Sequence, residues 1–155
     1  KTMKKSFLLF IRLFIFAFSN DSNYNKAMNL MKNDDYKEAY NLFADDANNG
    51  NAKSQLMIGR FFLQGNKLVK MDYEKAMYYF KLASKQKEYE ANCYISYMYA
   101  NGLGVFPNFG RANVFAKKEF EKGNKLCIKV WNDFNLNKYP QDKGFRIGDY
   151  NKPVE

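Results

Sequence analysis

The sequence predicts an all-α fold of repeated helix pairs, closed at its C-terminal end by a capping helix. One short pattern occurs three times, at residues 35–39, 72–76 and 108–112, and the alanines that end the copies are 37 and then 36 residues apart. A period of this size is typical of solenoids, in which each unit is too small to bury its own apolar face and stacks on its neighbours. Apolar residues make up 46% of the 155 residues, which is enough for such a core.

The first copy spans residues 23–50 and is predicted as a helix pair with a short connection. Ala27 and Leu30 follow helical spacing, and a tight turn then leads to Asp35. We expect Asp35 to cap the second helix, because its carboxylate can accept from free backbone amides and Glu38 completes a capping box.

The second and third copies span residues 51–87 and 88–123 and are predicted as longer helix pairs. In the second copy we expect Gly65 to end the first helix and Asp72 to cap the next one. Gly59 of the second copy and Ser96 of the third lie in the same register. Two helices are expected to approach closely where these small residues occur.

The capping helix is predicted over residues 124–135. Leu126, Val130, Trp131 and Phe134 form an apolar stripe that can cover the open end of the repeats. Residues 136–155 are a polar tail with two prolines that block a helix. The composition leaves open whether this tail is disordered, folds back or grips a partner.

Residues 1–19 are predicted to be a secretory signal peptide. Lys4 and Lys5 precede a short apolar run that closes with Ala17 and Ser19, which are small residues of the kind a signal peptidase reads. A retained membrane anchor is the alternative, but Arg12 interrupts a run that is already short for a bilayer. We therefore expect a periplasmic or secreted protein with a repeat domain over residues 20–135 and no stable membrane insertion after cleavage.

The composition excludes several classes of function. Histidine is absent, which removes histidine-based catalytic triads and the usual zinc sites. The net charge is +9, but the lysines are spread between acids and form no cluster of the kind that nucleic-acid binding requires. We expect no metal, no cofactor and no nucleic-acid partner.

Residues 50–123 resemble Sel1-like repeats, which are relatives of tetratricopeptide repeats. The resemblance depends on the first helix at 52–65, the loop at 99–105 and the second-helix segment at 72–76. It implies a right-handed superhelix of antiparallel helix pairs whose concave groove holds another protein or peptide. Departures are local: Ser96 stands where the family has glycine, and Glu119 where it has alanine.

The resemblance also places specific residues in the groove. Aromatic, methionine and arginine side chains are favoured at interfaces. Tyr24, Arg60 and Tyr97 are the best candidates for partner contacts, because their polar tips tolerate water in an empty groove. Packing between helices is the alternative for Met28, Met31 and Leu56. The groove positions are Tyr24, Met28, Met31, Lys53, Leu56, Arg60, Glu90, Cys93 and Tyr97.

Two cysteines, Cys93 and Cys127, lie in the third copy and the capping helix. An exported protein can oxidise such a pair. Neighbouring helix axes lie about 8–10 Å apart, which strains the usual limit of about 7 Å between the α-carbons of a disulfide. The sequence therefore leaves open a disulfide or two separate buried thiols.

The resemblance predicts a scaffold that binds another protein and is not an enzyme. Small exported members of the family serve as immunity proteins against secreted toxins or as envelope adaptors. The alternative is an enzyme that acts on β-lactams, since Ser84 and Lys87 match a Ser-x-x-Lys pattern. Neither of the partner motifs of such enzymes is present, and Ser84 is explained equally well as a small packing residue.

Overall fold

The computed structural model describes residues 23–142 and 144, which form seven α-helices and one short 3-10 helix without any β-strand. The predicted all-α fold is confirmed. The predicted signal peptide and the last residues of the tail, 145–155, lie outside the described residues. The helices are α1 (23–32), α2 (Tyr36–Asn48), α3 (Ala52–Gln64), α4 (Tyr73–Lys85), α5 (Glu90–Asn101), α6 (Phe109–Glu121) and α7 (Lys125–Asp133), followed by the 3-10 helix Leu136–Lys138.

The repeated sequence pattern marks the starts of α2, α4 and α6. Asp35, Asp72 and Asn108 each accept a hydrogen bond from the backbone amide three residues later, at 3.4, 2.9 and 2.8 Å. Gly65 and Gly102 end α3 and α5 with positive φ angles of 62° and 68°, which side chains with a Cβ rarely adopt. None of the helices described reaches the length and hydrophobicity that a membrane crossing requires.

Each described helix from α2 to α7 packs against the next one in the chain, and small residues set the closest approach. A Cβ added at Gly59 of α3 would lie 2.6 Å from a ring carbon of Phe80 on α4, so only glycine fits there. In the third copy Ser96 replaces the glycine, and its hydroxyl donates to the Ala112 carbonyl at 2.8 Å. Where the second copy has a glycine, the third copy thus has a hydrogen bond across the corresponding helix pair.

Buried polar side chains connect successive helix pairs. Asp46 at the end of α2 is only 1% exposed and accepts a hydrogen bond of 2.5 Å from the hydroxyl of Ser54 on α3. From sequence, the two adjacent acids at residues 45 and 46 are expected to lie at a solvent-exposed helix end. For Asp46 this expectation is wrong, because its side chain is buried. The polar side chain is accommodated because Ser54, which is fully buried, offers it a donor.

The capping helix α7 is joined to α5 by a disulfide between Cys93 and Cys127. The two α-carbons are 4.8 Å apart, well inside the limit for a bridge, and both side chains are fully buried. The separation expected from helix axes overestimates this distance, because the two cysteines lie on the facing sides of helices that pack directly together.

The segment after α7 is part of the folded domain up to Asp142. Leu136 is fully buried, and the side-chain amide of Asn113 donates to two backbone carbonyls of the segment at 2.9 and 3.0 Å. Arg111 forms an ion pair with Asp142 at 3.1 Å. The domain therefore continues beyond residue 135, where the sequence pattern placed its end, and this part of the tail folds back on α6.

Candidate binding surface

The odd-numbered helices α1, α3 and α5 share one surface, which we call the first-helix face. It is defined by Tyr24, Lys53, Arg60, Glu90, Tyr94 and Tyr97. The ammonium group of Lys53 on α3 lies 5.6 Å from the ring centroid of Tyr24 on α1. The guanidinium carbon of Arg60 lies 5.9 Å from the ring centroid of Tyr94 on α5. Cation–π contacts thus connect the three helices across the face.

Tyr94 is a fixed aromatic platform in the middle of this face. Its ring stacks on Phe80 with 4.8 Å between centroids and 7° between planes. Burial raises the pKa of the Tyr94 hydroxyl, and the positive charge of Arg60 opposes that effect. Because Phe80 is itself fully buried, the platform is held by the core.

The electrostatic field over the first-helix face is mixed. Burial and the neighbouring Glu90 raise the pKa of the Glu88 carboxyl, while Lys53 lowers it. Burial also raises the pKa of Tyr24, an effect that Lys53 partly offsets. Lys53, Arg60 and Glu90 of the face therefore have a second acid, Glu88, beside them, and a partner must match charges of both signs.

Arg60 has unused hydrogen-bonding capacity. Its Nη1 donates to the sulfur of Met57 at 3.4 Å, which is a weak acceptor. Its Nε is buried and has no hydrogen-bond partner among residues 23–142, and no carboxylate in that part of the chain forms a salt bridge with it. A buried donor without an acceptor is uncommon in folded proteins.

Arg60 lines one cleft, and Tyr94, over which its guanidinium lies, lines a second one. The smaller one, of about 160 Å³, includes Met31, Met57 and Phe61 in its wall together with Arg60 itself. The larger one has a volume of about 510 Å³ and is mostly apolar in its lining. Tyr97, at the rim, is 36% exposed. The larger cleft is lined by Leu63, Gln64, Tyr73, Tyr94, Tyr97, Leu103 and Leu126.

The residues predicted for the groove divide between surface and core. Lys53 and Tyr97 are exposed, and Tyr24, Arg60 and Glu90 are half-buried on the first-helix face. The remaining members pack inward. Met28 and Met31 are half-buried against the core that contains Phe43, Leu56 is only 7% exposed and belongs to the main core, and Cys93 is fully buried in the disulfide.

Leu56 therefore follows the packing alternative, and Cys93 forms the disulfide and does not face the groove. Sequence reasoning also missed Tyr94. Its signal was its spacing, since it lies four residues after Glu90 and three before Tyr97 and so shares their helix face.

Ser84, the nucleophile of the alternative enzyme hypothesis, lies in the joint between α4 and α5. It is 7% exposed, and its hydroxyl donates to the side-chain oxygen of Asn92 at 2.6 Å. This bond joins α4 to α5, as the bond between Ser54 and Asp46 joins α3 to α2. Helix packing is thus a role that the structure shows for Ser84. The described residues contain no group of three acidic or cysteine side chains that could hold a metal ion.

Comparison with known proteins agrees with this architecture. The Sel1 repeat family matches residues 52–88 and 90–123. The crystal structure of a Sel1 repeat protein from Oxalobacter formigenes is similar, with a TM-score of 0.65 and 24% sequence identity. The similarity covers 83% of this chain but only 56% of that one, so the chain spans little more than half its length. No curated protein matches the chain. The chain therefore contains two segments similar to the Sel1 repeat, and it shares the fold of this solved protein.

Proposed function

We propose that the first-helix face binds a segment of another protein. The observation that supports this most directly is the half-buried Arg60, whose guanidinium lies over Tyr94, and the aromatic cleft of about 510 Å³ that Tyr94 lines. Arginine and tyrosine are the residue types that most often dominate binding energy at interfaces. A Sel1 repeat scaffold is also consistent with a protein–protein interaction role.

The proposal includes export to the periplasm or the medium. The charged, apolar and small-residue segments within residues 1–19 support it. The disulfide between Cys93 and Cys127 supports it independently, because disulfides persist mainly in oxidising compartments. In such a compartment the protein acts as an immunity protein that neutralises a secreted toxin or as an envelope adaptor. A toxin gene beside its own gene would favour the first role.

The proposal predicts that the double variant Arg60→Glu, Tyr97→Ala loses its partner. Each side chain is expected to contribute more than about 1 kcal/mol, so the pair should weaken binding by about thirtyfold or more. The measurement is a titration against the partner isolated from the source cells with the wild-type protein.

The matched control is Lys85→Glu, Tyr78→Ala, which makes the same kind of changes on α4. Tyr78 is 58% exposed and lies outside the first-helix face. This control should bind like the wild type. Equal loss in both variants, or no loss in the first, would mean that the partner binds elsewhere.

A further inference from the structure

We infer that the disulfide between Cys93 and Cys127 completes the larger cleft, so that the protein binds its partner tightly only after these two thiols have been oxidised. This inference depends on the proposed function, because it concerns how binding at the first-helix face is regulated. Three features lead to it: the bridge lies between two walls of the cleft, it anchors a short helix, and its sulfur atoms are fully enclosed.

The bridge joins two walls of the larger cleft. Tyr94 of α5, which follows Cys93 in the chain, forms one wall, and Leu126 of α7, which precedes Cys127, forms another. The α-carbons of the two cysteines are 4.8 Å apart, and consecutive α-carbons of a chain are about 3.8 Å apart. The bridge therefore fixes the spacing between the α5 wall and the α7 residue that lines the cleft.

The first half of α7 depends on this bridge for its position. The helix has 9 residues, fewer than the roughly 12–15 that a helix needs to be stable alone. Its buried side chains are Cys127 in the first half and Val130 in the second. The second half has a further anchor, because Trp131 stacks on Phe120 of α6 with 4.6 Å between ring centroids. The bridge cysteine is thus the buried anchor of the half that contains Leu126.

Loss of the bridge is expected to disturb the cleft directly. Cys93 and Cys127 are fully buried, so neighbouring side chains fill the space around their sulfur atoms. Two separate thiols need more room than one bonded pair, and a close-packed interior supplies it only if a helix moves. The first half of α7 is the part with the fewest other buried anchors, so it moves and takes Leu126 out of the cleft lining.

The oxidation belongs to the folding of the chain. The thiolate of one cysteine attacks a small disulfide oxidant and displaces one thiolate from it, and the thiolate of the other cysteine then attacks the mixed disulfide and displaces the second. Two electrons pass to the oxidant, which leaves as two thiols and takes up both protons. Because the finished bridge is fully buried, thiols in solution do not reach it in the folded domain.

The consequence is a restriction on where the protein binds. In a reducing compartment the two cysteines stay thiols and the cleft lacks its α7 wall. Under the proposed export, the bridge forms only after the chain reaches an oxidising compartment. A chain that has not been exported therefore does not engage a partner.

The test compares bridged and bridge-free forms of the full chain. One bridge-free form is the wild type, unfolded in urea with a reducing agent and refolded with that agent present. The other is Cys93→Ala, Cys127→Ala, which needs no reducing agent and so leaves any disulfides of the partner intact. Affinity is titrated with the partner isolated on the oxidised wild type. We expect both bridge-free forms to bind about tenfold more weakly or less, since a disulfide of ordinary strength shifts a local opening equilibrium by at least that factor.

Two measurements show whether the effect is local. Circular dichroism should show that the bridge-free forms keep their helices. Amide hydrogen exchange of residues 125–128 should be about tenfold faster or more without the bridge, while exchange in α2 stays unchanged as the internal control. Loss of helical structure throughout the bridge-free forms would overturn the inference, because the bridge would then hold the whole domain together.

The Leu126→Ser variant provides a readout that a general stabilising role would not move. With the bridge intact it should weaken binding, because it removes the α7 side chain from the cleft lining. In the bridge-free background it should add little, because that wall is already displaced. Losses that multiply would mean that the bridge and Leu126 act separately. Either that result or equal affinities of the bridged and bridge-free forms would overturn the inference.

Failure of the proposed function would look different. If the partner binds elsewhere, Arg60→Glu, Tyr97→Ala keeps its affinity, and this inference falls with the proposed function. If that variant loses the partner while the bridge-free forms bind like the oxidised wild type, the first-helix face is the binding site and the inference about the disulfide alone is wrong.

Discussion

Replacing Phe80 by alanine is expected to lower the free energy of unfolding by about 3–5 kcal/mol. Phe80 is fully buried between the backbone of Gly59 on α3 and the ring of Tyr94 on α5. Its removal empties a space that three helices share, and the glycine backbone opposite has no side chain with which to fill it. Urea denaturation monitored by circular dichroism measures the loss.

The control for Phe80→Ala is Tyr78→Ala, which removes an aromatic ring from the same helix. Tyr78 is 58% exposed, and the neighbour its ring contacts is Tyr79, at 5.3 Å between centroids. Its loss should cost less than about 1 kcal/mol. Similar denaturation midpoints for the two variants would contradict the assigned helix register.

Loss of the disulfide is expected to cost about 2–4 kcal/mol. The bridge closes a loop with a sequence separation of 34 residues and ties α7 to α5. Without it the unfolded chain gains conformational freedom, and the capping helix keeps only its packing contacts. The measurement compares urea midpoints of the wild type with those of Cys93→Ala, Cys127→Ala, each with and without a reducing agent.

The reducing agent makes this comparison specific. It should lower the midpoint of the wild type and leave that of the double variant unchanged, because the variant has no bridge to reduce. If thiol counting shows that the wild-type bridge is reduced but its midpoint does not move, α7 does not depend on the disulfide.

The repeat architecture was predictable because it is recorded locally in the sequence. The capping side chains Asp35 and Asp72 and the helix-ending Gly65 act on residues only a few positions away. The close helix contact at Gly59 was also predictable, since a small residue within an apolar run indicates such a contact. Because the pattern occurs three times, the capping and helix-ending residues of one repeat supported the assignment of the next repeat.

The burial of polar residues was not predictable in the same way. From sequence alone, Asp46 looks like a solvent-exposed acid and Ser84 like an active-site serine. The structure shows that Asp46 is hydrogen-bonded to Ser54 and Ser84 to Asn92. In each case the partner lies eight residues away across a helix–helix joint. Such pairs depend on the angle between helices, which no local pattern specifies.

The binding surface was predictable only in part. The resemblance to Sel1-like repeats placed Arg60 and Tyr97 in a common groove, but it could not separate them from Leu56, which packs into the core. Tyr94 was missed because its role depends on stacking with Phe80 of another helix. A shared helix face follows from sequence, while the depth of each side chain follows from packing.

Site-specific photo-crosslinking in the source cells tests the central claim most directly. The photoreactive residue p-benzoyl-phenylalanine replaces Tyr97 on the first-helix face in one variant. In a second variant it replaces Tyr78 on α4. Both positions are exposed tyrosines, at 36% and 58%, so both tolerate the new side chain. Binding through the first-helix face predicts a crosslinked partner from position 97 and none from position 78. A crosslink from position 78 with none from position 97 would contradict it.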